Sequence, residues 1–235
     1  YLVDAPDAFV WNRTKPLCDV PKIGIGSQPI DDGNFLFEPA EKDAFIAAEP
    51  YAAKFFHRWV GSREFIRGIE RWVLWLGEAS AADFKQMPLA RERVQAVREF
   101  RLASKRAQTK KAAEQPHRFG TEIISQEKSV IVPRVSSERR RYLPLGLLAP
   151  EVFASDAALL IPNADRFHFG VLHSTFHNAW MRSVAGRLKG DFRYSGGVVY
   201  NNFIWPNADD TTIARIETCA QAVLDARESY QGATL

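Results

Sequence analysis

SVIVPRVSSERRRYLPLGLL, Ser129 to Leu148, holds two apolar runs of β character joined by a charged loop, and that alternation decides the fold class. SVIVP and YLPLGLL are short, rich in branched aliphatics and bounded by proline, as strands ending in loops are. Between them, Pro133 to Tyr142 packs Arg134, Arg139, Arg140 and Arg141 around a single acid, Glu138. Guanidinium groups present planar forks of donors that match phosphate oxygens and the major-groove edge of guanine. A carboxylate such as Glu138 can accept from a cytosine amine, and Ser136 and Ser137 add small donors for phosphate or base. Taken alone, the run is equally a solvated basic loop between two strands.

Working outward, TEIIS, AALLIP and RFHFGVL add further strand-like segments, so a mixed or antiparallel sheet is expected. RWVLWLG, Arg71 to Gly77, suits a buried strand. Helical patterns surround these segments. EKDAFIAAEP runs to Pro50, with AAKFFHRWV continuing it, STFHNAWMRSVAGRL has Ser174 as N-cap, and an amphipathic helix closes the chain from Asp209 to about Tyr230. Pro88 opens a long helical stretch that the pattern carries to Pro116. The expected class is α+β: a mixed or antiparallel sheet with a long basic helix and flanking helices.

Charge is distributed unevenly. The formal net is +3, yet between Arg91 and Arg141 fourteen Lys and Arg face six Asp and Glu, leaving the remainder of the chain at −5. Such a band is the footprint of a polyanion-binding face. On the long helix Arg98, Arg101, Lys105, Arg106, Lys110 and Lys111 are the expected phosphate contacts, with Arg134 and Arg140 from the loop. A second basic group, Arg182, Arg187, Lys189 and Arg193, lies around GRLKGDFRYSGG, where glycines let backbone approach a phosphate. Tyr194 can add a hydrogen bond there or simply pack. The rest of the loop, Ser136, Ser137, Glu138, Arg139 and Arg141, is assigned to base reading.

Other constellations are weaker. His173 and His177 have a spacing that could hold zinc, but no further ligands stand near them in sequence, so a structural or DNA-facing role is favoured. In a strand RFHFG, His168 and Arg166 point away from both phenylalanines. Asp165 with Arg166 is either a local ion pair or a base-reading pair, and His168 joins them as a base-reading candidate. YNNFIWP lacks the double proline of an amino-methyltransferase loop and reads as structural. No glycine-rich cofactor loop, nuclease carboxylate set or nucleophile–base pair is recognisable, so no catalytic residue and no metal ligand is assigned and no cofactor is expected in this chain. Two cysteines two hundred residues apart imply no disulfide framework, and no run approaches membrane-span length. The opening Tyr1 suggests a piece of a longer protein.

These residues resemble one family throughout, the C-terminal target-recognition region of MmeI-like (type IIL/IIG) restriction–modification enzymes. The resemblance rests on ordered blocks: GSQPIDDGNFLF, EKDAFIAAEP, WVGSREFIRG, RWVLWL, PLARERVQAVREFRLASK, PRVSSERRRYLPLG, ASDAALLIPNA, the long block from Phe167 to Pro206, and AQAVLDAR. It implies a polypeptide that also carries a nuclease and an adenine amino-methyltransferase. S-adenosylmethionine, and Mg for cleavage, would belong to those parts. It further implies base-reading side chains in the loops, among them Ser136 to Arg140 and the member-specific pair Asp165 and Arg166.

The resulting expectation is an irregular N-terminal arm or linker over 1–34, a double-stranded DNA target-recognition domain over 35–205, and a C-terminal helix over 206–235. Its partners would be duplex DNA and the methyltransferase domain of the same polypeptide, in a bacterial cytoplasm, with no membrane. The alternatives are a sequence-indifferent nucleic-acid-binding module and a scaffold that docks on a catalytic partner.

Overall fold

Residues 9–230 and 234–235 are described by a computed structural model. Of the expected N-terminal arm, residues 1–8 lie outside the described residues. The segment that follows is irregular as its Pro, Gly and Asp content dictates, apart from the two-residue strand β1 (Gly24–Ile25). After β2 (Leu36–Phe37), α1 (Pro39–Ala48) begins with proline in its first turn and stops before Pro50. The helical reading fails beyond that point. Pro50–Phe55 is a 3₁₀ turn and β3 (Phe56–Val60) is a strand, because its aromatic and branched side chains are buried against a sheet rather than along a helix face.

α2 (Ser62–Arg67), β4 (Trp72–Leu74) and α3 (Ala81–Lys85) lead to α4 (Pro88–Ala103). The expected long helix is thus broken: Ser104 is extended, and the chain resumes as α5 (Ala107–Lys111) and a 3₁₀ turn (Ala112–Glu114). The cause is legible at Arg101. The last buried side chain of α4 is this arginine, and not its apolar neighbours Phe100 and Leu102. Its guanidinium donates to the carbonyls of Pro29, Ile30, Ala112, Gln115 and Arg118 at 2.7–3.3 Å, which folds the polar continuation back around it. At its other end, α4 receives a cap from afar, since the buried carboxylate of Glu49 accepts from the backbone N–H of Leu89 and Ala90 at 2.7 and 3.1 Å.

Strands β5 (Ser129–Pro133), β6 (Val135–Ser136), β7 (Gly146–Leu148), β8 (Val152–Ala154) and β9 (Ala158–Pro162) follow. Then come α6 (Arg166–His173), α7 (Thr175–Val184), the hairpin β10 (Gly186–Leu188) and β11 (Asp191–Arg193), a π-turn (Gly196–Tyr200) and α8 (Asp210–Glu228). TEIIS is not a strand; it makes one isolated bridge, Gln28 to Thr121. RFHFG is not one either but forms the first turns of α6. Asp165 caps that helix by accepting from His168 N, and the helical spacing of Phe169 and Leu172 buries both side chains.

Among the described residues three sheets result. The order β1-β9-β5-β7 is antiparallel throughout, as is β10-β11-β6; β2-β4-β3-β8 is mixed, with β3 and β8 parallel. The first sheet is covered on both faces, which is why SVIVP and ALLIP are continuous apolar runs. Strand alternation sends Val130, Val132, Leu159 and Ile161 into one core with Phe169, Leu172 and Met181 from α6 and α7. Ile131, Ala158 and Leu160 face the opposite way, into a smaller core with Val60 and Ala154. A third core joins Phe35, Phe37, Val73 and Leu74 of the mixed sheet to Val97 of α4. The architecture is α+β, as the pattern of segments predicts.

Candidate nucleic-acid interface

The basic loop and the second basic group, fifty residues apart in sequence, meet on one surface. β6 pairs with β11 in the register Ser136 opposite Phe192, which brings the hairpin alongside the turn Ser137 to Arg141. Arg140 N donates to Ser137 O at 3.1 Å and closes that turn. Glu138 N donates to the Asp191 carboxylate at 3.4 Å, and the Glu138 carboxylate lies 3.7 Å from the Arg187 guanidinium. Arg187 also donates to Gly190 O at 2.9 Å and lies over the Phe192 ring at 3.7 Å. At the hairpin tip Lys189 has φ +56°, in the left-handed region, so its side chain projects from the tightest point of a two-residue turn.

Not every expected contact faces outward. Glu138, Arg139 and Arg141 are exposed and Ser137 is half-buried, but Ser136 is buried at 4% exposure beneath the β6–β11 pairing. That removes Ser136 from direct base reading. Arg140 turns inward and donates to Leu235 O. Arg134 is half-buried and donates to Asp156 O at 3.3 Å. Arg182, expected on phosphate, donates to the carbonyls of Arg140 and Arg141 at 2.5 and 3.5 Å. Tyr194 is buried at 3% exposure, so the packing alternative holds and the phosphate contact does not. Burial pushes its hydroxyl well above the usual tyrosine value, and it faces His177 Nε2 at 3.1 Å.

The α4–α5 region divides in the same way. Arg98, Lys105, Arg106, Lys110 and Lys111 are exposed, and among the described residues none has an acidic partner within ion-pair distance. Five unopposed cations repel one another until a polyanion arrives. Arg101 is not among them, being fully buried in its ring of carbonyls.

Asp165 and His168 engage each other as the capping pair of α6, with His168 Nδ1 at 2.7 Å from the Asp165 carboxylate, which holds Asp165 below the usual carboxylate range against the opposing effect of burial. Arg166 donates to Gln221 of α8 at 3.1 Å. The three residues therefore lie at the α6–α8 junction, not on the hairpin. His173 and His177 do not converge. His177 Nδ1 meets Leu172 O at 2.7 Å, while His173 Nε2 accepts from Arg227 at 2.9 Å, and burial lowers both to about 4. Among the described residues no group of His, Cys, Asp or Glu is placed to hold a metal ion.

YNNFIWP is structural, as read. Asn201 donates to Arg13 O at 2.7 Å, and Asn202 to Trp11 O, Gly197 O and Val198 O at 2.9–3.0 Å, tying the N-terminal segment to the first core. Sequence reasoning missed Asp191, Asn178 and Thr175. Asn178 accepts from Leu143 N at 2.9 Å, and Thr175 lies 3.3 Å from the Tyr142 hydroxyl, so α7 holds the downstream end of the basic loop. No local pattern marks such residues, because their partners are distant in the chain.

A cationic ledge built on loops and a hairpin, over a multi-sheet scaffold, defines the class: an α+β recognition domain for a polyanion. The particular family is then plain. The MmeI target recognition domain matches residues 4–207, and the chain belongs to that family. DNA methyltransferase A of Bacillus subtilis (strain 168) is 38% identical over 235 residues, all of this chain and 27% of that protein. The solved structure of the type IIL restriction–modification enzyme MmeI in complex with DNA matches with a TM-score of 0.92 at 40% identity. That match covers 100% of this chain and 31% of the other. The chain thus spans less than a third of either relative.

Proposed function

We propose that this chain is the sequence-reading module of a DNA adenine methyltransferase, and that it positions duplex DNA for a catalytic part carried elsewhere in the polypeptide. One observation carries the reading: the turn Ser137 to Arg141 and the β10–β11 hairpin are brought to one exposed surface in a member of a target-recognition family. Glu138, Arg139 and Arg141 read base edges in the major groove; Lys189, Arg193 and the exposed cations of α4 and α5 grip phosphates. A target adenine would then be turned out of the helix into the catalytic pocket. S-adenosylmethionine, and Mg where cleavage occurs, would be bound by that catalytic part. The proposal extends to a bacterial cytoplasmic setting; among the described residues no helix is long and apolar enough to cross a membrane.

The test is methylation-site mapping of DNA from cells expressing the full-length protein that carries this chain. The expected result is one asymmetric motif methylated at adenine. Arg139→Ala or Arg141→Ala should make one position of that motif degenerate. An active, well-expressed protein with no motif would sink the reading in favour of sequence-indifferent binding.

A further inference from the structure

We infer that Arg182 and Asp191 are positioning residues for the reading loop, and that Arg182 acts on sequence preference rather than as a phosphate contact. This inference rests on the proposed function. The turn Ser137 to Arg141 has only one backbone hydrogen bond of its own, Arg140 N to Ser137 O, plus a 3.3 Å bond from Arg139 N to Ser137 Oγ. Everything else that fixes it comes from outside. Arg182, in the last turn of α7, reaches across to the carbonyls of Arg140 and Arg141, which are consecutive acceptors on the downstream limb. The same guanidinium lies over the buried Phe192 ring at 5.0 Å, so the strand under the loop also holds it. Asp191, at the start of β11, accepts from Glu138 N on the upstream limb at 3.4 Å.

The chemistry of the two anchors is matched to the loop. Both bonds leave one nitrogen, Arg182 Nη2, whose N–H directions are fixed by the guanidinium plane lying over Phe192, whereas a lysine ammonium carries three rotatable donors on a flexible stem and has no such plane. Two exposed arginines in the turn, Arg139 and Arg141, with the nearby exposed Arg187, would otherwise push a short turn open. Holding the two limbs from below leaves the side chains of Glu138, Arg139 and Arg141 pointing outward in one fixed arrangement. Such preorganisation is what a bidentate base contact requires, because its discrimination depends on donor geometry.

The experiment uses the full-length protein carrying this chain and selects bound sites from a randomised duplex library, alongside affinity against salt concentration. The library result for the unaltered protein tests the underlying proposal by itself: no enriched motif would overturn that reading, and this inference with it. Given a motif, Arg182→Lys and Arg182→Gln should each lower discrimination by roughly tenfold at the positions that Arg139→Ala and Arg141→Ala also blur, with the salt dependence unchanged. Full discrimination in either variant would overturn Arg182 as a planar anchor, and a uniform loss on all sequences with a salt slope shallower by about one contact would make it a phosphate ligand. Asp191 supplies a second arm that does not depend on how well the Arg182 variants fold. Asp191→Ala should blur the position that Glu138→Gln blurs, and Asp191→Asn, which keeps an acceptor for Glu138 N, should restore it. Equal motifs for Asp191→Ala and the unaltered protein would overturn the upstream anchor.

Discussion

At Arg101 a single side chain decides where an element ends. Fully buried and bonded to five carbonyls, it substitutes for the apolar residue that periodicity would place there. Replacing it with methionine keeps the volume but removes the side-chain donor from all five; Pro29, Ala112 and Gln115 keep a backbone N–H on their carbonyls while those of Ile30 and Arg118 lose their partner, and the expected cost is about 3 kcal/mol, read as a shift in the urea midpoint. A loss within 0.5 kcal/mol, the scale of ordinary surface changes, would contradict this account. Two histidines, the buried His177 and the half-buried His173, make stability depend on pH on the acid side. His173 and His177 are lowered to about 4 by burial, His173 also by the neighbouring Arg227 charge. Unfolded, each would protonate near 6.5. The folded state therefore favours the neutral ring, and its advantage is complete above pH 6.5. Stability should fall between pH 6.5 and about 4, by up to ~1.4 kcal/mol per pH unit for each histidine. Melting temperatures across that range test the sign. His177→Gln, which cannot protonate, should flatten part of the slope.

The hairpin β10–β11 separates charge from backbone conformation in a way that can be tested at the level of one element. Lys189 adopts a left-handed φ that asparagine and glycine tolerate more readily. Lys189→Asn should therefore keep the turn and the melting temperature while weakening binding on every DNA sequence alike. The salt slope should drop by about one phosphate contact. A change confined to one base position would mean that Lys189 reads sequence. The broken helix offers a parallel case. Lys105→Glu with Arg106→Glu, at an exposed junction between α4 and α5, should reduce affinity uniformly and leave the motif intact, as measured on the same duplexes. Both elements were visible in the sequence as basic groups. Their division into free and occupied arginines was not.

For the whole molecule, the closing helix is part of the core although the family match ends at residue 207. Ala220 of α8 is buried against α6, with Ile216, Val223 and Leu224 packed on the same cluster as Phe169 and Leu172. A chain ending at residue 207 should lose near-UV circular dichroism and bind hydrophobic dyes while retaining much of its far-UV signal. Retention of a sharp melting transition would show the helix to be dispensable. What the sequence determined alone is what local chemistry can encode: continuous apolar runs for strands, a proline-opened helix, Ser174 as a cap, an amphipathic closing helix, and a cationic band unbalanced by acids. It also placed the basic loop between two strands. Only the tertiary structure decided that Arg101, Ser136 and Tyr194 are buried, that Arg182 faces carbonyls, and that Arg166 belongs to the α6–α8 junction. The reason is physical. Whether an arginine is free to meet DNA depends on which distant carbonyls or carboxylates lie within hydrogen-bond reach, and that is set by strand pairing and packing between residues far apart in the chain.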